Sequence, residues 1–435
     1  MTSFGFHRVI NSMKSVKFCK EGNGYVFMKK RYLIIISFLI LGSFWWLKFK
    51  LDNSAKAIIG VYIEGEYSTS VPLKDRGYYV EKIECDNGSS GEWDYVNWGL
   101  LTTNMSKKSK CNVYFRKDTI VEAIKNELDT TGKCPSVNAD GSVNVTSAES
   151  ENSLLCSAPD NYGTSYYYRG NVTNNYVYFA GFYWRIVRIN GDGSIRMIYD
   201  GTTAHKNGEA SDDRIIGTSA FNEKSDDNAY VGYMYGTPGS STYEETHANI
   251  NDSTIKKYVD SWYENNLNGT NFEKYLADNL FCNDRTISNY NPLNFPNFGY
   301  GKYNTQYRYS YGPWSAPVSS DNAKMTFKCM TKNDSLFLKI AIINKSEGVL
   351  AGGYSGGSYY FLRDGNDSWE MSPDCYNGLD GYLENGAAVR YSCGDGNIAC
   401  DSNVTKVHGV KPVINLKQGA LKTGNGTITN AYLVD

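Results

Sequence analysis

One apolar segment near the N-terminus constrains this chain more than any other feature. Residues Tyr32–Leu47 read YLIIISFLILGSFWWL, and Phe49 and Leu51 extend the run to residues 32–51. A helix of about 20 apolar residues is long enough to span a bilayer. The preceding tail, residues 1–31, is rich in Lys and Arg, which places it in the cytoplasm and the rest of the chain outside. We therefore predict a single-pass plasma-membrane protein with an extracellular C-terminal region.

A cleaved signal sequence is the alternative interpretation of this segment. Met28 followed by Lys-Lys-Arg fits the start of a signal peptide, and Ala55-Lys-Ala57 fits a small-residue cleavage site. Lys48 and Lys50 stand directly after the apolar core and favour the uncleaved anchor. Both interpretations export everything that follows.

The cysteines fit an oxidising compartment. The chain has ten, of which Cys19 precedes the apolar segment and the others follow it. Disulfides are the usual state of cysteines outside the cell, and the lack of a C-x-x-C pair removes support for zinc or thioredoxin-type motifs. Pairing of sequence neighbours leaves Cys375 free and predicts four bridges, Cys85–Cys111, Cys134–Cys156, Cys282–Cys329 and Cys393–Cys400.

Charge and composition restrict the possible partners. The formal net charge is -2, and the Lys and Arg residues are scattered rather than gathered in a basic stripe. This pattern argues against nucleic acid as a partner. The 36 tyrosines, together with many Asn, Gly and Ser residues, favour strands and turns over helices.

Hydrophobic patterns divide the exported region into four segments. In residues 57–118, Cys111, Val113 and Phe115 alternate with polar positions, which predicts a small β-sandwich. Residues 119–165 are predicted to form a helix and a disulfide-closed linker. Residues 166–418 form the large domain, and residues 419–435 a hairpin or a frayed tail.

The large domain combines strand and helix signals. Residues Tyr166–Tyr199 contain a β-hairpin with Asn190-Gly-Asp-Gly at the turn, which explains Asp192 better than a metal site does. Apolar spacing predicts helices at Ser253–Leu267 and Asn271–Leu280. A buried strand at Gly409–Leu416 closes the domain. The predicted fold class is therefore α+β, behind an N-terminal transmembrane helix.

Several motifs of the large domain resemble a surface-protein domain of low-GC Gram-positive gut bacteria. They are YVYFAGFYWRIVRINGDGSIRMIYDG, STIKKYVDSWYENNL, LFCNDR, SWEMSP and GVKPVINL, within residues 166–416. The family has no assigned activity, and it is similar to C-type-lectin-like and sulfatase-modifying-factor-like folds. The resemblance implies an α+β domain that opens with a hairpin, inserts two helices and closes with a strand beside the first. SSGEWDYVNWGL and KCNVYF resemble a β-domain of similar surface proteins.

The lectin-like resemblance directs attention to one loop. Asp364, Asn366 and Asp367 offer oxygen ligands, and Trp369 offers a ring for stacking. We treat these four residues as the candidate ligand-binding site, with Asp364 and Asp367 as candidate calcium ligands. The competing interpretation is a polar turn followed by a core tryptophan, and the calcium tripeptides usual in lectins are absent.

Three other patterns resemble metal-binding or catalytic sites. Cys393 and Cys400 occupy a late position comparable to the copper-binding cysteine pair of sulfatase-modifying-factor enzymes, but their neighbours do not match and a disulfide is the simpler interpretation. Gly353-Tyr-Ser-Gly-Gly357 matches G-x-S-x-G without the strand and helix that a nucleophile elbow requires. The remaining acidic pairs are typical of solvated loops: Asp212, Asp213, Asp226 and Asp227.

Together these features predict a membrane-anchored extracellular binding or adhesion protein with no required cofactor. A glycan is a candidate ligand, because Tyr and Trp rings stack on sugars while Asn and Asp bind hydroxyls. A protein ligand, an extracellular copper enzyme and a purely structural surface protein are the alternatives.

Overall fold

The structure is a computed structural model of the chain. It describes residues 58–74, 76–105, 109–145, 153–288, 300, 304–309, 324–353, 359–377, 386–397 and 400–434. The predicted cytoplasmic tail and the predicted anchor at 32–51 lie outside these residues, so the anchor stays a prediction. In the described part, no helix is both long and apolar enough to cross a membrane. Residues 59–104 and those from 110 onward form one compact unit.

The predicted α+β class is wrong, because the fold is mostly β. Strands make up 42% of the structure and helices 12%. The four short helices of the described ranges are α1 (Thr119–Lys125), α2 (Tyr243–Thr246), α3 (Thr254–Asn266) and α4 (Lys345–Leu350). This correction removes the main support for a C-type-lectin-like α+β domain.

Most of the strands are short, and most pair with the strand before or after them in the chain. In chain order they are β1 (Ile58–Ile63), β2 (Glu66–Ser68), β3 (Tyr78–Cys85), β4 (Ser90–Asp94), β5 (Gly99–Thr103), β6 (Lys110–Lys117), β7 (Ser136–Val137), β8 (Val143–Asn144), β9 (Leu154–Pro159), β10 (Thr164–Arg169), β11 (Tyr176–Phe179), β12 (Phe182–Ile189), β13 (Ile195–Gly201), β14 (Thr218–Ala220), β15 (Met234–Tyr235), β16 (Asn251–Asp252), β17 (Asn279–Cys282), β18 (Asn304–Gln306), β19 (Lys324–Met325), β20 (Ser335–Leu338), β21 (Ile340–Ile342), β22 (Ser368–Asn377), β23 (Gly386–Ser392), β24 (Cys400–Asn403), β25 (Val407–Gly409), β26 (Pro412–Leu416), β27 (Leu421–Thr423) and β28 (Tyr432–Val434).

The N-terminal sheet has four strands in the order β2-β1-β6-β3, and the β4–β5 hairpin accompanies it. The predicted alternation on β6 is confirmed, since Val113 and Phe115 are buried while Tyr114 is only half-buried. Trp93 from the hairpin packs edge-on against Phe115, with ring centroids 5.0 Å apart. A core of large aromatic rings supplies the buried area that so small a sheet needs. This arrangement fits the predicted small β-sandwich.

A nine-stranded sheet carries the main core. Its central order is β21-β26-β13-β12-β11-β28-β27, and β10 and β9 extend from β12. The predicted hairpin is present as β12 and β13, with Gly193 at a positive φ of 85° in the turn. The predicted closing strand is β26, which pairs with β13. The C-terminal residues form the hairpin β27–β28, and β28 runs parallel to β11.

A second large sheet, of six strands, is built around β22. Its order is β14-β25-β22-β23-β24, and β18 pairs with β22. The inner positions of β22 and β23 are nearly all buried. Several of these strands lie in segments that are polar in sequence, which is why the strand content exceeds the prediction.

Helix α3 follows its sequence signal, whereas α2 was not predicted and one predicted helix is wrong. Helix α3 begins after Ser253, whose side chain accepts a hydrogen bond from the Lys256 backbone, as expected of an N-cap. The predicted helix at Asn271–Leu280 is wrong. Only Glu273–Tyr275 form a helical turn, and the chain then enters β17, which pairs with β20. Pairing with a strand more than fifty residues away in the chain overrides the local helical spacing.

The structure pairs the cysteines as the sequence indicated and leaves Cys375 as the free cysteine of the described residues. Each bridge closes a loop and restricts the unfolded chain, which stabilises the fold by roughly 2–4 kcal/mol per bridge. The pairs are Cys85–Cys111, Cys134–Cys156, Cys282–Cys329 and Cys393–Cys400.

Candidate functional site

The structure uses the oxygen atoms of the predicted loop to hold the fold. Asp364 is buried and forms an ion pair with Lys411, which is buried as well. The other carboxylate oxygen of Asp364 accepts a hydrogen bond from the Asn366 backbone at 3.0 Å. Asp367 accepts one from the Gly394 backbone at 2.9 Å, and the side-chain amide of Asn366 donates to the Ser211 carbonyl. These contacts leave the loop few oxygen atoms to offer to a ligand.

Trp369 lies in the core, not on a binding surface. Its side chain is 1% exposed, and its indole N–H donates to the Ser219 carbonyl at 2.8 Å. Phe221 and His408 pack edge-on against the ring. Trp369 is thus a neighbour of the loop in the sequence, but neither face of its ring is open for stacking on a sugar.

We expect calcium to leave the stability of this protein unchanged. The Asp364 carboxylate is already neutralised by Lys411, and the described residues contain no group of three or more metal-ligating side chains. A calcium ion would have to displace a buried ion pair to bind there. Thermal melts of metal-stripped protein with and without millimolar calcium should superimpose. A rise of several degrees that Asp367→Asn abolishes would contradict this assignment.

The other motifs also have structural roles. Cys393 and Cys400 are joined in a disulfide, so neither sulfur is a thiolate that would bind copper. Asp213 accepts hydrogen bonds from the Thr202 and Thr203 backbones and lies 2.7 Å from Nε2 of His205. Asp227 caps a helical turn through the Ala229 backbone. Most of the G-x-S-x-G match lies outside the described residues.

A large groove, which the sequence analysis missed, is the best candidate site. Its volume is about 1200 Å³. One wall is formed by β3 and β4 of the N-terminal sandwich. The other is formed by residues around Glu273–Asp278, Phe337–Lys339 and Lys417–Lys422 of the large region. We call it the sandwich groove. A concave site of this size is large enough for several sugar units or for an extended peptide.

Two contacts fix the junction beneath the groove. Asp118, the N-cap of α1, accepts a hydrogen bond from the Val121 backbone at 3.1 Å and one from the Gly419 backbone at 2.7 Å. Gly419 has a φ of +77°, and the Tyr79 ring occupies the space where its Cβ would project. Only glycine combines this backbone conformation with such a close approach. Burial raises the pKa of the Asp118 carboxyl despite these hydrogen bonds.

Both walls of the groove contain aromatic rings, some buried in the fold and others at least partly exposed. Trp93 and Tyr95 are held by the sandwich, since Trp93 is buried and the Tyr95 hydroxyl accepts a hydrogen bond from the Val80 backbone at 3.0 Å. Burial raises the pKa of Tyr95 to about 12, so its hydroxyl stays neutral. Phe337, by contrast, is 63% exposed. Tyr79 and Tyr275 are half-buried, so parts of these rings are open to a ligand.

The groove lining has equal numbers of acidic and basic side chains, but only some of them form ion pairs. The lining includes five carboxylates and five lysines. Lys339 pairs with Glu273 at 2.9 Å, which raises the pKa of Lys339, and Lys82 pairs with Glu84 outside the lining at 2.7 Å. Asp192 accepts hydrogen bonds from Ser194 and Asn279 and is held in place. A groove of mixed charge with exposed rings suits a polar, extended ligand.

Little in the sequence could have located this groove. Its lining comes from segments hundreds of residues apart, and no motif joins them. One local signal was present in the run Leu336-Phe337-Leu338. In a strand, successive side chains point to opposite faces. If only one face is buried, at least one of three successive apolar side chains must therefore be exposed. Leu336 is buried and Phe337 is exposed, as this rule requires.

Comparison with known proteins gave no matching family model, no matching curated protein and no matching solved structure. The resemblance of the large region to a bacterial surface-protein domain therefore stays a prediction. The function has to be argued from the groove itself.

Proposed function

We propose that this protein is an extracellular binding protein that holds a carbohydrate chain in the sandwich groove. The observation that carries the proposal is the groove of about 1200 Å³ in which the exposed ring of Phe337 and the half-buried rings of Tyr79 and Tyr275 stand beside polar and charged side chains. Rings of this kind stack on the apolar faces of sugars, and the polar groups bind hydroxyls. Ligand sites of this sort lie preferentially where two structural parts meet.

The disulfides support the exported setting of this proposal. Four bridges in one chain are typical of secreted or cell-surface proteins, because the cytosol keeps thiols reduced. The apolar run at residues 32–51 is the sequence argument for attachment to the plasma membrane. The copper-enzyme alternative loses its main support, since its two cysteines are bonded to each other.

The proposal predicts that replacement of an aromatic side chain of the groove lining by alanine weakens glycan binding. We expect Phe337→Ala and Tyr275→Ala each to reduce the affinity for the best glycan of an array about fivefold, because each variant loses one stacking contact. Affinities would be measured by isothermal titration calorimetry on oxidised protein.

Tyr178→Ala is the matched control. Tyr178 is 41% exposed but belongs to β11 and is not part of the groove lining. Its replacement should leave the affinity unchanged. If all three variants bind equally well, or if the array gives no binding at all, the groove is not a carbohydrate site.

A further inference from the structure

We infer that the glycan held in the sandwich groove is anionic and that Lys274, Lys417 and Lys422 bind its acid groups. This inference rests on the proposed function and specifies its ligand class. The three side chains line the groove on the wall of the large region. We call them the lysine wall.

The backbone holds two of these lysines side by side. Residues 274–277 run against residues 415–417, with an isolated bridge between Leu276 and Leu416. The Lys417 backbone donates to the Tyr275 carbonyl at 2.7 Å, and its Nζ donates to the Lys274 carbonyl at 2.8 Å. The Lys417 ammonium is thus held against the backbone of Lys274, and both lysines are exposed and line the groove.

Asp118 acts on one member of the lysine wall, since the positive charge of Lys422 favours the ionised form of that carboxyl. Among the ion pairs of the described residues, none includes Lys274, Lys417 or Lys422. The neighbouring Glu273 is occupied, since it pairs with Lys339 and also accepts a hydrogen bond from the Gly269 backbone at 3.0 Å. A bound carboxylate or phosphate would form charge-assisted hydrogen bonds with these ammonium groups.

The opposite wall sets the orientation of such a ligand. Glu81 and Glu92 line the groove on the sandwich side, and Glu81 is already paired with Arg116 at 2.9 Å. The repulsion of an acid group on this wall therefore comes from Glu92, while Asp278 is a lining carboxylate on the same wall as the lysines. The half-buried ring of Tyr275 lies within the same wall, with Nζ of Lys274 4.8 Å from the ring centroid. A ring beside a cation is suited to a sugar that carries an acid group.

The test compares matched acidic and neutral glycans on the oxidised protein. The array carries uronate, sialylated and phosphorylated sugars, each beside its esterified or unsubstituted counterpart. We expect the acidic member to bind about tenfold or more tightly, with an affinity that falls as salt is raised. Lys417→Gln should remove about tenfold of this affinity and leave the neutral counterpart unchanged. Lys406→Gln, an exposed lysine outside the groove lining, is the control and should change neither.

The outcomes separate this inference from the proposed function. Equal binding of acidic and neutral members overturns the inference, while carbohydrate binding itself stands. Equally tight binding of a DNA oligonucleotide of the same charge also overturns it, because the wall would then act on any polyanion. Absence of binding to every glycan removes the proposed function and the inference together.

Discussion

Replacement of Glu347 by glutamine is expected to lower the free energy of unfolding by about 3–5 kcal/mol, because the buried Arg196 loses its carboxylate and the buried Arg188 keeps only its ion pair with Asp160. Oε1 of Glu347 lies 2.6 Å from Nη1 of Arg196 and 3.2 Å from Nε of Arg188. All three side chains are buried. Burial alone would raise the pKa of Glu347, but the two arginines lower it below its ordinary value, so the carboxylate is ionised.

Glu347 also connects parts of the fold that the groove depends on. Its second oxygen completes a capping box with Asn344 at the start of α4. Arg196 on β13 in turn donates to the Leu280 carbonyl on β17, close to the groove wall. Glutamine keeps the shape and leaves no cavity, but its amide nitrogen replaces one of the two accepting oxygens, so the predicted loss combines the charge with one hydrogen-bond acceptor.

Urea unfolding followed by tryptophan fluorescence would measure the Glu347→Gln effect, with Glu122→Gln as the matched control. Glu122 pairs with Lys125 at 3.2 Å on the partly exposed surface of α1, where an ion pair contributes no more than about 1 kcal/mol. A Glu347→Gln protein as stable as the Glu122→Gln protein would show that the buried arginines do not need the charge of Glu347.

The sequence predicted those parts of the fold that depend on local signals. The hairpin of β12 and β13 follows from strand alternation on both sides of a glycine-rich turn, and helix α3 follows from a cap and an apolar stripe. The cysteine pairs could be predicted too, because each bridge joins two cysteines that follow one another in the sequence. The hairpin and the helix depend on contacts within a short stretch of chain, and the bridges follow the order of the cysteines.

The candidate site could not be predicted, because its contacts are long-range. Asp364 in the predicted calcium loop is neutralised by Lys411, 47 residues later, and no local pattern indicates this pair. The groove likewise depends on the contact between Asp118 and Gly419, 301 residues apart. The fold class failed for the same reason, since short segments such as β14 and β25 become strands by pairing with each other across nearly the whole large region.

A second large effect is expected from pH acting on Asp374. Burial, with a further contribution from Asp401, raises the pKa of Asp374 from an ordinary value of 3.8 to about 7, even though Nη2 of Arg390 lies 2.7 Å from its Oδ1. The native state therefore binds a proton more tightly than the unfolded chain does. This contribution to stability is fully present below about pH 4 and is lost as the pH rises through about 7. Its size is on the order of 4 kcal/mol at most.

Asp374→Asn isolates this effect, because asparagine stays neutral at every pH. The free energy of unfolding of the native protein minus that of the Asp374→Asn protein should fall steadily between about pH 5 and pH 7.5, measured by urea unfolding at each pH. The pH range of the measurement ends at 7.5 because burial lowers the pKa of Lys345 to about 8, so that this lysine titrates at higher pH. Subtraction is required because other carboxyls act in the opposite sense. The pKa of Asp129, for example, is lowered to about 2 by its hydrogen bonds with Thr131.

The neighbouring Asp401 provides the control for Asp374. Asp401 lies 3.5 Å from Nη1 of Arg390, and its side chain is 42% exposed. Asp401→Asn removes a negative charge that helps to raise the pKa of Asp374 in the native state, so the fall in stability should be smaller and should end at a lower pH. A stability difference between the native and Asp374→Asn proteins that stays flat with pH would mean that Arg390 holds Asp374 ionised throughout. Burial would then be the weaker of the two opposing influences at this site.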